Sequence, residues 1–162
     1  MPWILVCICF LFFNDAGFAQ DISNESRQRN FYLALLSEDI HLVEQQIADL
    51  NDFPKKDTLA FHGVLQMKKA GLISKAKLKL SNFKDGKHKL ESAIIKDSDN
   101  IEYRFLRLII QENAPKILNY KGDLDADKSI IVEKFDQLNE PLKKEVKKYS
   151  RQSKVLKSAK FE

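Results

Sequence analysis

The sequence predicts an all-α fold of about six to seven helices in antiparallel hairpins, with no sheet. Three observations support this class. The 162 residues include only 5 Gly and 4 Pro, whereas a β-sandwich or barrel needs a turn signal every ~8–12 residues. Hydrophobic residues make up 44% of the chain, which is enough for a core. They recur at spacings of three and four over residues 27–150, which is the helical period.

The N-terminal residues are predicted to direct export. Residues 2–13 (PWILVCICFLFF) form an uncharged apolar run, which suits a signal peptide and is shorter than the ~20 residues of a membrane span. Gly17 and Ala19 place small residues before Gln20, so residues 1–19 are predicted to be a signal peptide cleaved near Ala19–Gln20. No basic residue precedes the run, which leaves a membrane anchor as the alternative. The expected location is the periplasm or the extracellular space.

The rest of the chain is predicted to form one helical domain. Residues 20–26 are polar and are interpreted as a flexible leader, residues 27–153 as the domain, and residues 154–162 as a frayed C-terminal tail. Both cysteines precede the predicted cleavage site, so the exported chain would have no disulfide and no cysteine-based metal site. The predicted helices are 27–36, 38–50, 58–71, 82–96, 101–113, 128–138 and a last one beginning near Pro141.

Local signals define most of these helix ends. Ser37 is a good N-cap for the second helix, and Pro54 follows its end because proline cannot continue the hydrogen-bond ladder. Gly71 is expected to end the third helix. Residues 97–100 (DSDN) are predicted to form a turn that caps the start of the fifth helix. Pro115 is expected to end this helix. Residues 72–81 alternate leucine and lysine, and their conformation is left open between a helix and a strand-like connector.

Small residues at helical spacing give the central region a family resemblance. Gly86, Leu90, Ala93 and Ser98 stand at the offsets of the second helix of a tetratricopeptide repeat. The preceding helix resembles the first helix of such a unit, if an insertion around residues 71–81 is accepted. The resemblance implies a right-handed stack of helical hairpins, a TPR-like fold in which a groove binds a peptide.

A second resemblance covers residues 100–120 (NIEYRFLRLIIQENAPKILNY). This stretch is similar to the signature FLRxxxQENxPxxLxY of exported helical proteins from Bacteroidetes. That family implies a diverged tetratricopeptide hairpin and an envelope location, and it carries no known activity to transfer.

Residues of the fifth helix and the loop after it are the candidate partner-binding site. Arg104 and Arg107 are three residues apart, so they share one side of a helix and could bind a carboxylate. Gln111, Asn113 and Tyr120 extend this surface. The alternative is structural, with the arginines paired to glutamates of their own helix or to the acidic residues of 38–52.

Catalytic, metal and cofactor sites are not predicted. The three histidines are far apart in sequence, and no catalytic motif is present. Asp123, Asp125 and Asp127 imitate the start of a calcium loop, but Lys128 and Lys134 occupy the positions that need Gly and Glu. These aspartates are instead interpreted as N-terminal helix caps.

Charge is unevenly distributed along the chain, whose net charge is +4. Residues 68–89 carry eight lysines against Asp85, residues 143–160 carry seven lysines and Arg151 against Glu145, and residues 37–52 hold five acids and no Lys or Arg. Lysine dominates over arginine and the aromatics lie on core stripes, so nucleic acid is an improbable partner.

The predicted function is therefore that of an exported, non-enzymatic interaction protein that binds a protein or peptide in a helical groove. An acidic partner is among the expected candidates. One alternative is a small envelope enzyme with a site assembled from scattered residues such as His62, Glu102, Arg104 and Tyr120. The other is a weak binder of anionic surfaces through the lysine-rich faces.

Overall fold

The computed structural model describes the backbone of residues 15–161, and the side chains of residues 24–161 except Asp52. The apolar core of the predicted signal peptide, residues 2–13, lies outside the described residues. The described chain contains no strand and confirms the all-α class. Its seven α-helices are α1 Asp15–Leu36, α2 Ile40–Ala48, α3 Lys55–Leu72, α4 Ala76–Lys96, α5 Ile101–Asn113, α6 Leu124–Glu133 and α7 Glu140–Ser150. Three short 3₁₀ helices are Asp49–Asp52, Lys116–Leu118 and Phe135–Gln137.

Helix α1 is longer than the sequence analysis predicted. Residues 20–26, interpreted as a flexible leader, belong to this helix, and no glycine or proline interrupts the helix from residue 18 to Leu36. Two long-range contacts hold this part of α1: Glu25 pairs with Lys144 of α7 at 2.9 Å, and Gln28 donates a hydrogen bond to Glu102 of α5. Within the part of the chain that the structure describes, no helix is both long and apolar enough to cross a membrane.

Helices α3 and α4 form a tight antiparallel hairpin joined by residues 73–75. Their backbones meet at Gly63 and Gly86: a Cβ on either residue would lie 2.5–2.6 Å from the carbonyl oxygen of the other. The region 72–81, which the sequence analysis left open, contains the end of α3, the connector and the first turns of α4. Most of this region therefore lengthens the two helices and does not form a separate loop.

Helix α5 is the centre of the core. Seven consecutive residues, from Phe105 to Gln111, are buried, so the helix is covered on its polar face as well as on its apolar stripe. Asn100 caps its N-terminus by accepting a hydrogen bond from the Tyr103 amide, as the sequence predicts. It ends at Asn113, before Pro115. An aromatic cluster of Phe31, Phe53 and Phe61 fills the contact between α1 and α3.

The ends of α2, α4 and α6 differ from the prediction. Helix α4 begins at Ala76 and not near residue 82, and α6 spans Leu124–Glu133 and not 128–138. The Asp123 side chain, interpreted as a cap, makes no capping hydrogen bond at α6. The N-cap of α2 is Asp39, which accepts from the His41 amide, whereas Ser37 accepts from the Asp39 amide and forms the turn before it. Asn139 caps α7 by accepting from Leu142, and Pro141 occupies its first turn, where its missing N–H has no intrahelical partner to lose.

The C-terminal segment after α7 is held against the helices, in contrast to the frayed tail that the sequence predicts from residue 154. Leu156 is fully buried and Ser153 nearly so. Phe161 packs on Phe135 with ring centroids 4.8 Å apart. The sequence did not indicate this packing, because the segment contacts residues that are distant along the chain and its residue pattern has no helical period.

Candidate functional site

The predicted site residue Arg107 is the centre of a buried ion-pair network between α4, α5 and α6. Its Nε donates to Asp127 Oδ2 and its Nη2 to Asp127 Oδ1, both at 2.7 Å. The Arg107 side chain is 7% exposed and that of Asp127 is fully buried. A bidentate pair of this kind is the strongest form of charged hydrogen bond. Burial alone would lower the pKa of Arg107, but its bonds to Asp127 raise the pKa instead and keep the guanidinium charged.

Glu91 and Asp123 extend this network to two further predicted site residues. Glu91 accepts from Arg107 Nη1 at 2.9 Å and from the Tyr120 hydroxyl. Gln111 donates to Asp123 at 3.0 Å, and Asp123 lies 3.6 Å from Arg107. Burial and then the Glu91 carboxylate raise the pKa of Tyr120 well above its usual value, so the phenol remains a hydrogen-bond donor.

The last two predicted site residues also have partners within the chain. Arg104 donates through Nε and Nη2 to the Ser98 carbonyl, at 3.0 and 2.8 Å, and through Nη1 to Asp127. Asn113 donates to the Ile109 carbonyl and to the Tyr149 hydroxyl. The geometry therefore favours the structural interpretation of all five residues.

Sequence reasoning named the wrong acidic partners for the arginines. Glu102, Glu112 and the acidic residues of 38–51 are bound elsewhere or exposed. The arginines instead pair with Asp127, Glu91 and Asp123. The run of alternating aspartates was the available signal. It was interpreted as a helix cap, and Asp125 and Asp127 do lie in the first turn of α6, but Asp127 points inward to Arg107.

Glu112 anchors the C-terminal segment, a role that the sequence did not indicate. Its carboxylate accepts hydrogen bonds from the Tyr149 hydroxyl at 2.8 Å, from the Ser153 hydroxyl at 2.7 Å and from the amides of Lys154 and Val155. These donors satisfy the charge internally.

The described chain has a broad apolar groove on its surface. It has a volume of about 1100 Å³ and lies between the C-terminal half of α3, the first turns of α4, and the end of α5 with residues 114–118. The ends of α1 and α7 and the segment after α7 complete it. Its lining is mostly aliphatic, with Met67 and Ala70 from α3, Phe83 from α4 and Ile110 from α5.

The rim of the apolar groove combines exposed aliphatic side chains with lysines. Ile117 is 91% exposed and Leu80 is 45% exposed. Lys68 is paired with Glu38 at 2.8 Å, whereas neither Lys79 nor Lys154 has an ion-pair partner among the described residues. The groove therefore offers an apolar floor and unpaired positive charge at its edge.

The residues considered for a scattered catalytic site make their hydrogen bonds to other described residues and not directly to one another. His62 lies 3.0 Å from Lys89, Glu102 accepts from Gln28 and Tyr32, and no hydrogen bond joins any two of His62, Glu102, Arg104 and Tyr120 among the described side chains. Burial and then the Lys89 charge lower the pKa of His62, so its neutral ring accepts from the ammonium. The described residues also contain no group of three or more His, Cys, Asp or Glu arranged to hold a metal ion.

Comparison with known proteins adds no relative. No protein-family model, curated protein or solved structure matches this chain. The tetratricopeptide-like relationship therefore stays a prediction from the residues quoted above.

Proposed function

We propose that this protein is an exported interaction protein whose apolar groove binds a segment of a protein partner. The observation that supports this proposal best is the groove itself, which has a volume of about 1100 Å³, a mostly aliphatic lining and an open edge. Contiguous exposed apolar surface framed by polar residues is typical of an interaction site. The proposal keeps the partner-binding function that the sequence suggested and places it away from the arginine network.

Burial of the exposed rim residues would favour binding of a partner. Ile117 and Leu80 are large aliphatic side chains that the chain leaves substantially in water. Fully burying such a side chain is worth about 1.5–3 kcal/mol. A partner that covers both, together with the floor, gains the kind of central apolar contact that dominates binding energy at protein interfaces.

Site-specific photo-crosslinking tests this proposal. The photoreactive amino acid benzoylphenylalanine replaces Ile117 at the groove rim in one variant. In the matched control it replaces Ile95, which is 81% exposed near the end of α4 and does not line the groove. Irradiation of cells that express each variant should give a discrete protein adduct from position 117 and none from position 95.

The adduct supports the proposal only when the crosslinked segment, made as a peptide, binds the wild type and loses binding to an Ile117→Asp variant. An absence of adducts at position 117, or the same adducts from both positions, would refute the proposal. Because Ile117 is so exposed, Ile117→Asp should not change stability by more than about 0.5 kcal/mol, and a thermal melt checks that the variant is folded.

Export is part of the same proposal and has its own test. Cleavage near Ala19–Gln20 would leave the described side-chain contacts of α1 intact, because the residues that make them, such as Glu25, follow the cleavage site. N-terminal sequencing of the natural protein should therefore find Gln20 first. Recovery of intact Met1, or extraction only with detergent, would instead support the membrane anchor.

A further inference from the structure

The chemistry of the apolar groove also indicates what kind of segment occupies it. We infer that the occupant is an amphipathic helix of a partner protein, with acidic residues beside its apolar stripe. This inference rests on the proposed function and specifies the partner of that same site.

Several polar groups of the groove already have hydrogen-bond partners, which favours a helix over an extended peptide as the occupant. The polar side chains at the end of α5 and in α7 already have partners: Glu112 binds the C-terminal segment, and Asn113 and Tyr149 bind each other. The lining loop offers little backbone either, since the amides of Ala114 and Leu118 are bonded within the chain and proline has no N–H. An extended peptide would bury its N–H and C=O groups without partners, which is costly. A helix satisfies these groups internally.

Small residues in the lining give such a helix room for its side chains. Ala70 and Gly71 of α3, Ala76 of α4 and Ala114 after α5 all line the groove. A Cβ added to Gly71 would find no atom within 4 Å. Apolar side chains at positions i, i+3, i+4 and i+7 of a partner helix could therefore enter between the larger residues, as in other helix-in-groove complexes.

The charges at the rim select an acidic helix. Lys79 and Lys154 line the groove without an ion-pair partner among the described residues. The neighbouring Lys75, just before α4, and Lys77 in its first turn are equally unpaired in the part of the chain that the structure describes. The lining carries three lysines (Lys68, Lys79 and Lys154) against two acids (Glu38 and Glu112), which leaves a net charge of +1. The neighbouring Lys75 and Lys77 add two more positive charges. Positive rim charge attracts acidic partners and repels basic ones.

Synthetic peptides test the inference directly. The main probe is a fluorescent peptide of about fourteen residues, nearly four helical turns, with leucines in one stripe and glutamates beside them. Its comparison peptides have lysines in place of the glutamates, the leucines moved out of the stripe, or two central prolines that prevent a helix. Palmitate is tested as a non-protein ligand, and sedimentation of the protein alone tests whether a second copy occupies the groove.

We expect the glutamate peptide to bind at least about tenfold more tightly than the lysine peptide, and the other two comparison peptides to bind weakly. Ile117→Asp should abolish binding. Reversing Lys79 and Lys154 together to glutamate should weaken binding by about two- to fivefold for each lysine. The matched control reverses Lys84 and Lys157, which are exposed and do not line the groove, and should leave binding nearly unchanged.

The outcomes separate this inference from the proposed function. Equal binding of the lysine or proline peptide, or concentration-dependent dimers, would overturn the acidic helix as occupant. A crosslinked partner segment at position 117 that is basic or extended would also overturn it while leaving the proposed function intact. If only palmitate binds, and no protein is crosslinked at position 117, both fail.

Discussion

The close approach of α3 and α4 allows a sharp test of the fold through the substitution Gly86→Ala. A Cβ at residue 86 would lie 2.5 Å from the Gly63 carbonyl oxygen and 2.8 Å from Met67 Cγ, whereas ordinary contacts are 3.4–4 Å. The Met67 side chain can move, but the Gly63 oxygen is backbone. The two helices would therefore have to separate by about 1 Å.

Two opposing effects determine the result of this substitution. Alanine is a better helix former than glycine by about 1 kcal/mol, whereas overpacking a core costs about 1–3 kcal/mol. We expect the upper end of that range because the nearest atom is backbone, which leaves a net loss of about 2 kcal/mol. Gly71→Ala is the matched control in the same hairpin. Its Cβ meets no atom within 4 Å, so it should stabilise the protein by about 0.5–1 kcal/mol.

Urea or thermal unfolding measures both variants. The net loss for Gly86→Ala corresponds to a fall in Tm of about 4–8 °C, since 1 kcal/mol shifts Tm by about 2–4 °C in a chain of this size. If Gly86→Ala were as stable as Gly71→Ala, the helices would not meet at Gly63 and Gly86, and the described hairpin packing would be wrong.

Three further predictions concern the buried polar groups. Arg107→Gln should destabilise the protein by up to about 3–5 kcal/mol in urea unfolding, because the fully buried Asp127 loses its bidentate partner and keeps only its single bond to Arg104. Burial raises the pKa of Glu102 above its ordinary value of 4.5, so the folded state binds this proton more tightly than the unfolded chain. The stability of the wild type relative to Glu102→Gln should therefore fall as the pH rises from about 4.5 through that raised pKa, measured by unfolding at several pH values. Glu112→Ala should release residues 153–161, seen as faster hydrogen exchange and proteolysis there, because their hydrogen-bond acceptor is lost.

Each of these predictions has a control and a contradicting result. Lys84→Gln, on the exposed side of α4, should leave stability within about 0.5 kcal/mol, and an equally small effect of Arg107→Gln would show that its network is not structural. A constant difference between the wild type and Glu102→Gln at all pH values would contradict the raised pKa. Glu112→Ala should not change exchange in α2, which it does not contact; unchanged exchange at residues 153–161 would mean that Glu112 does not hold them.

The sequence analysis predicted helix positions better than it predicted the surroundings of side chains. The cap at Asn100 and the proline in the first turn of α7 follow from interactions within a few residues, and both are confirmed. The amphipathic pattern of α5 was also correct as a pattern. It suggested an exposed polar face, but α4 and α6 cover that face, since Glu91 and Asp127 neutralise the arginines there.

The candidate site is now the apolar groove and not the arginine surface predicted from the sequence, and the reason is related. The apolar groove is lined by residues of α3, α4, α5 and 114–118, which are far apart in the sequence. No short stretch of sequence therefore indicates that these residues surround one groove. Leu80 lay in the region left open between helix and connector, and no sequence motif distinguished Ile117. Only the arrangement of the helices shows that both border one groove.

By itself the sequence determined the all-α class and most helix ends, because helical period, caps and prolines act between neighbouring residues. The tertiary structure alone decided that Arg107 is internal, since its partners Asp127 and Glu91 lie 20 and 16 residues away on opposite sides along the chain. It likewise decided that the C-terminal segment is held by Glu112, about 40 residues before it. Such contacts depend on how helices pack against one another, and a hydrophobic pattern specifies which face of a helix is covered without specifying what covers it.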